Sequence, residues 1–411
     1  MQLKWERVCG MDVHKAMVKA CVRLPGSGPE RQQVVKTFGT TTRDLLLLSD
    51  WLKALGVTHV AMESTGVYWK PVYYVLEGEF TILLVNPASI KNMGPKTDAR
   101  DARWIAQLLE CDLLRGSFIP PEPIRVLRSL TRYRKKITEQ RVQEIQRLQD
   151  VLEDAGIKLS SVASNILGVS GRAMIEALAQ GRQDPEALAG LARGSLRGKK
   201  QELRKALEGH FAATHAFLVE EILGHLDHLE AMLERLNDKI DESLQPYQKE
   251  VALLQSIPGV KEKTSQVVVA ELGVDMQAFP TAGHAASWAG MCPVSNESAG
   301  KRRVEHVRKC RGGLRPALTQ AAWAAVREND SYLAAQFHRL VGHIGKKKAV
   351  IAVGHSILVI AYHVLKEQKP YHDLGVDYFL RQNKEAVQRR CIRQLERLGL
   401  QVTVKPIEDA A

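Results

Sequence analysis

Cysteine is scarce in this chain of 411 residues: Cys9, Cys21, Cys111, Cys292, Cys310 and Cys391 are scattered, with no CxxC pair and no histidine at zinc-finger spacing. That pattern excludes a disulfide framework and a structural zinc site, and predicts reduced, mostly packed thiols. No GxxxxGK[ST] loop is present, so nothing points to a nucleoside triphosphate as an energy source. No Ser-His-Asp arrangement can be read, and the first residues lack the apolar run of a signal peptide. The most apolar stretch, residues 349–365, contains His355, Ser356 and His363 and follows Lys346, Lys347 and Lys348, so it predicts a buried helix rather than a membrane span. Acidic residues are in deficit, 46 against 58 Lys and Arg, for a formal charge of +12. Such an excess favours a polyanionic partner, because each cation placed on a phosphate releases condensed counterions; a merely soluble basic protein would show the same balance.

With 45% hydrophobic residues the chain can form two or three domains with real cores. Residues 1–118 alternate short strands (7–11, 18–24, 33–38, 57–62, 80–85) with helices at 42–55 and 98–114. In the first helix Leu45, Leu48, Leu52 and Leu55 recur at helical spacing, and Thr41 or Thr42 is placed to cap it. Three strands, a helix, then β-α-β predicts a mixed sheet with helical cover, an α/β domain followed by all-α segments.

In residues 119–250 a predicted helix carries Arg125, Arg128, Arg132, Arg134, Lys135, Lys136 and Arg141 beside apolar Leu127, Leu130, Ile137, Ile145, Leu148 and Leu152. Its basic face suits a phosphate backbone, or simply solvent. Leu226, Leu229, Leu233, Leu236 and Ile240 alternate three and four apart, as in a coiled-coil seam or a buried bundle helix; either way the segment reads as a spacer or oligomerisation element. Residues 251–370 open with SIPGV (256–260) and a helix at 264–272, a helix-hairpin-helix pattern in which Gly259 would let backbone N–H groups approach a phosphate. Hairpins of this kind also serve as plain turns. Helices are predicted at 318–327, 331–341 and 349–366. Residues 371–411 form a charged tail whose end, 400–405, reads as a small strand or a flexible end.

Four acids sit in suggestive places: Asp12 in GMDVHK (10–15), Glu63 in MESTGVYW (62–69), and Asp98 and Asp101 in KTDARDA (96–102). The first two follow strand-like runs, and the last two are three apart, on one side of a helix. Clustered carboxylates repel unless cations neutralise them, and paired Mg²⁺ ions, or Mn²⁺ in their place, suit phosphodiester chemistry as in ribonuclease-H-like nucleases. Lys15 and Lys96 lie close enough in sequence to orient phosphates, or are ordinary surface lysines. Further on, PVSNESAGKRR (293–303) places serines in a small-residue loop running into Lys301, Arg302 and Arg303, with Lys309, Arg311 and Arg315 beyond. A serine can attack phosphorus and store bond energy as a phosphoserine ester; Ser295 and Ser298 compete for that role with a bland reading as loop or capping residues.

The four motifs, in this order, resemble the IS110-family transposases, also called DEDD recombinases, over nearly the whole chain. The end, QLERLGLQVT (394–403), is similar to the IS1111 branch. The resemblance implies a RuvC-like (ribonuclease-H-like) DEDD domain at 1–118, a basic helical and coiled-coil connector at 119–250, a mainly helical transposase domain with a catalytic serine at 251–370, and the tail. It implies a metal-binding tetrad of Asp12, Glu63, Asp98 and Asp101, and selects Ser298 over Ser295 by its position five residues after Pro293, although Ala299 stands where glycine is common. Implied partners are donor and target DNA, an element-encoded structured RNA (a bridge RNA), and further copies of the chain, a dimer assembling to a tetramer with composite sites. A bacterial cytoplasmic, nucleoid-associated location follows, with no membrane. Two other classes stay open: a junction-resolvase-like metal nuclease using water, and a non-enzymatic DNA-binding protein whose acids are structural.

Overall fold

The computed structural model describes residues 3–26, 30–64, 66–86, 98–292, 297–298, 301–302, 312–382 and 384–404. It divides into two compact units, Met1–Ile119 and Pro120–Ala411. The first unit runs β1 (Val8–Val13), β2 (Met17–Leu24), β3 (Gln32–Gly39), α1 (Thr42–Ala54), β4 (His59–Glu63), α2 (Trp69–Leu76), β5 (Thr81–Val85) and α3 (Asp98–Glu110). One five-stranded sheet results, in the order β3-β2-β1-β4-β5. The strands β1, β2 and β3 pair antiparallel, whereas β4 and β5 run parallel to β1, with Gly10 opposite Ala61 and Met11 opposite Met62.

Side chains alternate across a strand, so β1 supplies both cores. Cys9, Met11 and Val13 pack under α1 and α2 with Leu45, Leu48, Leu52, Val72 and Leu76. Val8, with Ala61 of β4 and Val85 of β5, packs instead on Ile105 and Leu109 of α3. The side chain of Thr41 caps α1 by accepting from the Asp44 N–H.

Two features hold α3 to the sheet. At Gly10 a Cβ would lie 2.3 Å from the Ala106 nitrogen and 2.4 Å from the Ala102 carbonyl oxygen, so the helix backbone rests directly on the central strand. At the other end of α3 the buried Glu110 carboxylate is held by Arg23 and by Arg31, the latter at 3.2 Å. The Glu110 carbonyl accepts from the N–H groups of Lys4 and Trp5, ahead of β1. These anchors make α3 antiparallel to β1 and bring its first turn to the C-terminal end of that strand.

The second unit is helical: α4 (Glu122–Asp154), α5 (Leu159–Val162), α6 (Val169–Ala179), α7 (Pro185–Gly190), α8 (Lys200–Ala206), α9 (Ala213–Leu244), α10 (Gln248–Gln255), α11 (Glu262–Leu272) and α12 (Ala282–Trp288). A two-stranded ribbon follows, β6 (Glu297–Ser298) with β7 (Lys301–Arg302), then α13 (Leu314–Ala325), α14 (Tyr332–Ile344), α15 (Lys346–Glu367), α16 (Tyr378–Gln382) and α17 (Lys384–Arg397). The long helices α4 and α9 lie side by side, antiparallel: Arg134, Arg141, Glu144 and Asp154 meet Asn237, Glu230, His225 and His215 in turn. Leu226, Leu229 and Ile240 are buried, while Leu233 and Leu236 are half-buried. The leucine stripe of α9 therefore lies within a pair formed inside one chain.

Beyond one end of that pair, α5 to α8 close a core on Leu148, Leu152, Leu223 and Leu226. At the other, α10, α12, α13 and α14 gather around α15, which buries Val350, Val353, Ile357, Leu358, Ala361 and Leu365. Among the described residues α15 is the one helix long and apolar enough to cross a membrane by length and composition; its neighbours in this unit are protein helices. In the tail residues 384–397 are helical and 401–404 carry no regular structure, so of the two readings of its end the small strand is not formed.

Replacing Gly10 by alanine forces α3 off the sheet. The clash is with backbone rather than a flexible side-chain tip, so the expected loss is about 3 kcal/mol, the upper end for overpacking. Urea unfolding measures it, and a midpoint equal to wild type would show that α3 retreats freely.

Candidate active site

Glu63 ends β4 and Asp12 is the last residue but one of the adjacent parallel β1, each one residue past the paired Met11 and Met62. Their alternation partners, Gly10 and Ala61, face α3, so both carboxylates emerge on the α3 side of the sheet. There α3 brings its first turn, with Asp101 just ahead of Ala102, the residue resting on Gly10. Three acids from three elements thus reach one corner of the sheet. Asp98 begins α3, and its side chain lies outside the described residues.

Asp12 is mostly buried, and its Oδ2 lies 3.0 Å from His14 Nε2. Lys15 is exposed in the turn to β2, where its carbonyl accepts from Thr40 Oγ1 at 2.9 Å. Among the described residues no three His, Cys, Asp or Glu side chains stand close enough to hold a metal ion. The chemistry of the donors nonetheless fits a hard divalent cation, since all are carboxylate oxygens. Lys96, also assigned to this site by sequence, falls outside the described residues.

In the second unit Ser298 lies on β6, its backbone paired with Lys301 of β7, and Glu297 pairs with Arg302. A tight ribbon thus carries the serine beside two basic positions. Arg303, Lys309 and Arg311 lie outside the described residues, as do Pro293 and Ser295.

The basic face expected on α4 needs correction. Arg134 is buried and donates to Gln266 Oε1 at 2.6 Å and Asn237 Oδ1 at 3.1 Å. Arg128 donates to the backbone carbonyls of Ala270 and Glu271 at 3.0 and 2.6 Å and stacks over Trp288. Arg132 grips the Glu271 carboxylate with two bonds, 2.8 and 2.7 Å. Glu271 is 1% exposed and also accepts from the Gly313 N–H at 3.2 Å. Burial pushes the Arg128 guanidinium down to about 10, still charged at neutral pH. These arginines tie α4 to α9, α11 and the start of α13, because a buried carboxylate needs several donors to repay its lost hydration. Arg125 reaches the Pro120 carbonyl, whereas Lys135 stays exposed, 3.6 Å from Glu139.

Gly259 has φ +77°, and a Cβ there would lie 2.1 Å from the Ala321 carbonyl oxygen. The close approach that requires glycine here is made by α13, which fits the plain-turn reading. Local spacing gave no sign of Glu271 as an organiser; the only hint was a carboxylate inside the apolar run VVVAEL.

Comparison with known proteins bears on both units. Residues 9–157 match a DEDD-type IS110 family model described as a transposase, and residues 251–338 match a model described as the transposase IS116/IS110/IS902 family. The insertion element IS116 uncharacterized 44.8 kDa protein of Streptomyces clavuligerus is 29% identical over 318 residues, which span 66% of this chain and 75% of that protein.

Removing the Glu271 carboxylate (Glu271→Ala) leaves two guanidinium groups without their anion. The expected cost is about 3–5 kcal/mol in chemical denaturation. Arg134→Leu should leave DNA affinity within about twofold of wild type in filter binding, since surface-phosphate effects scale with accessible cations; a tenfold loss in a folded variant would restore Arg134 to the interface.

Proposed function

Because the chain belongs to the IS110 family of transposases, we propose that it moves an insertion sequence by cutting DNA with Ser298 as nucleophile and a carboxylate cluster as metal holder. The observation that carries this reading is the meeting of Asp12, Glu63 and the first turn of α3 at one corner of a sheet ordered β3-β2-β1-β4-β5. Three antiparallel strands, β3-β2-β1, continued by β4 and β5 parallel to β1, with acids at or next to the strand ends, support a RuvC-like reading of the first unit. The tetrad is then Asp12, Glu63, Asp98 and Asp101. With Mg²⁺ or Mn²⁺ bound to these carboxylates, the site gains a Lewis acid and positive charge for a phosphate.

The serine step balances without an energy source. Ser298 Oγ attacks the scissile phosphorus, the bond from phosphorus to the 3′ oxygen breaks, and the hydroxyl proton ends on the departing 3′ oxygen. A 5′-phosphoserine link and a free 3′-hydroxyl result. In rejoining, a 3′-hydroxyl of the exchanged strand attacks the phosphoserine, its proton passes to Oγ, and a new phosphodiester forms. Lys301 and Arg302, on the strand paired with Ser298, are assigned to neutralise the phosphate oxygens. Lys15, at the turn after Asp12, is an exposed cation of the first unit assigned to a backbone contact.

The finer reading follows the IS1111-like end of the chain and the charge of +12. An element-encoded structured RNA guides donor and target DNA, and dimers of the chain pair into a tetramer. Lys135 remains an exposed candidate for RNA contact, and Arg125 a partly exposed one.

Incubating the protein and its RNA with donor DNA and Mg²⁺, then denaturing, tests the reading. Wild type should form a covalent protein–DNA adduct, and Ser298→Ala and Asp12→Ala should each lower it by on the order of 10⁴-fold or more. Cleavage that persists in Ser298→Ala without an adduct would replace serine by water as nucleophile.

A further inference from the structure

The last helix, α17, has no role in the reading above. Within residues 384–397 it carries Lys384, Arg389, Arg390, Arg393 and Arg397 against only Glu385 and Glu396. At 3.6 residues per turn, Arg389, Arg393 and Arg397 line one side, with Arg390 next to Arg397, and Cys391, Leu395 and Leu398 take the other. All four arginines are exposed, and with Gln394 they border an open cleft of about 610 Å³. Of these four, among the described residues, only Arg389 has an acidic partner, Glu385, at the slack distance of 3.8 Å, and its Nε also donates to the Glu385 carbonyl at 3.3 Å. The contrast with α4 is direct: there the arginines are spent on carboxylates and carbonyls inside the unit, whereas here the guanidinium groups face solvent.

We propose that the arginine face of α17 is a docking surface for the sugar-phosphate backbone of duplex DNA. This rests on the transposase reading only in that DNA is the substrate. Arginine suits the task because its planar fork binds phosphate oxygens in pairs and stays charged at any accessible pH. The row from Arg389 to Arg397 is about 12 Å long, enough to run beside several phosphates of a duplex that carries one charge per about 1.7 Å. No base-reading group accompanies the row, so the contact is expected to be independent of sequence and to add affinity rather than target choice.

The test compares the full chain with the triple variant R389Q/R393Q/R397Q. Fluorescence anisotropy on a 30-bp duplex of arbitrary sequence, repeated across a series of NaCl concentrations, gives the slope of log affinity against log salt. Three lost phosphate contacts should make that slope shallower by about 2 to 3, at roughly 0.9 per contact. Circular dichroism should report unchanged helix content. The corresponding triple lysine variant keeps the charge and should retain the wild-type slope within about 0.5. An unchanged slope in the glutamine variant overturns the proposal, as does an equal loss in the lysine variant. A change seen with an RNA of matched length but not with the duplex assigns the face to RNA and also overturns it. If wild type fails to bind duplex DNA at all, the transposase reading falls as well, which separates the two failures.

Discussion

Everything at the acidic corner depends on how closely a helix can approach a strand. With any side chain at position 10, α3 would have to ride higher on the sheet, and its first turn would move away from the ends of β1 and β4. The contact is backbone on backbone, so it leaves no room for gradual adjustment. Glu110 complements it from the far end, converting a sliding contact into a fixed one through Arg23 of β2 and Arg31 just before β3. Carboxylates contributed by three elements can share a corner only if those elements keep their relative heights, and these two anchors set the height of α3.

The second unit solves a related problem with charge instead of glycine. Arg128 and Glu271 are costly to take out of water, and they persist because each is saturated with partners of opposite sign or with carbonyls, the half-exposed Arg132 adding two bonds to the Glu271 carboxylate. The position of Glu271 at the end of α11 lets one carboxylate address both α4 and the Gly313 backbone where α13 starts. A hydrophobic contact in that place would hold the helices together but would be less demanding about the angle at which they meet.

Much of the first unit was legible from the order of its residues, because alternation and helical spacing are local signals. The strands, α1 with its Thr41 cap, and the strand-end placing of Asp12 and Glu63 all follow from runs shorter than fifteen residues. Contacts between distant residues were not legible. Arg128 and Arg134 read as surface cations because a helix face lined with arginine looks the same whether solvent or a buried Glu271 lies opposite. Gly259 read as a phosphate turn or a plain one, because a glycine forced by a neighbouring helix and one forced by a ligand share a sequence. The end of the tail read as a small strand or a flexible end from Val402 and Val404, while the helix at 384–397 lay in a segment legible only as charged.

The antiparallel pairing of α4 with α9 carries one more consequence. At 33 and 32 residues, these helices form a strut of about 50 Å, with a separate core closed at one end. Each residue added to one helix turns everything beyond it by about 100° and advances it by about 1.5 Å. A single insertion would therefore swing Arg141 away from Glu230 and present a different face to the core of α5 to α8. Only matched changes, near seven residues in both helices together, restore the faces. The span of this strut can thus drift over evolutionary time only in paired steps, which makes its length a stepwise quantity in descendants of this chain.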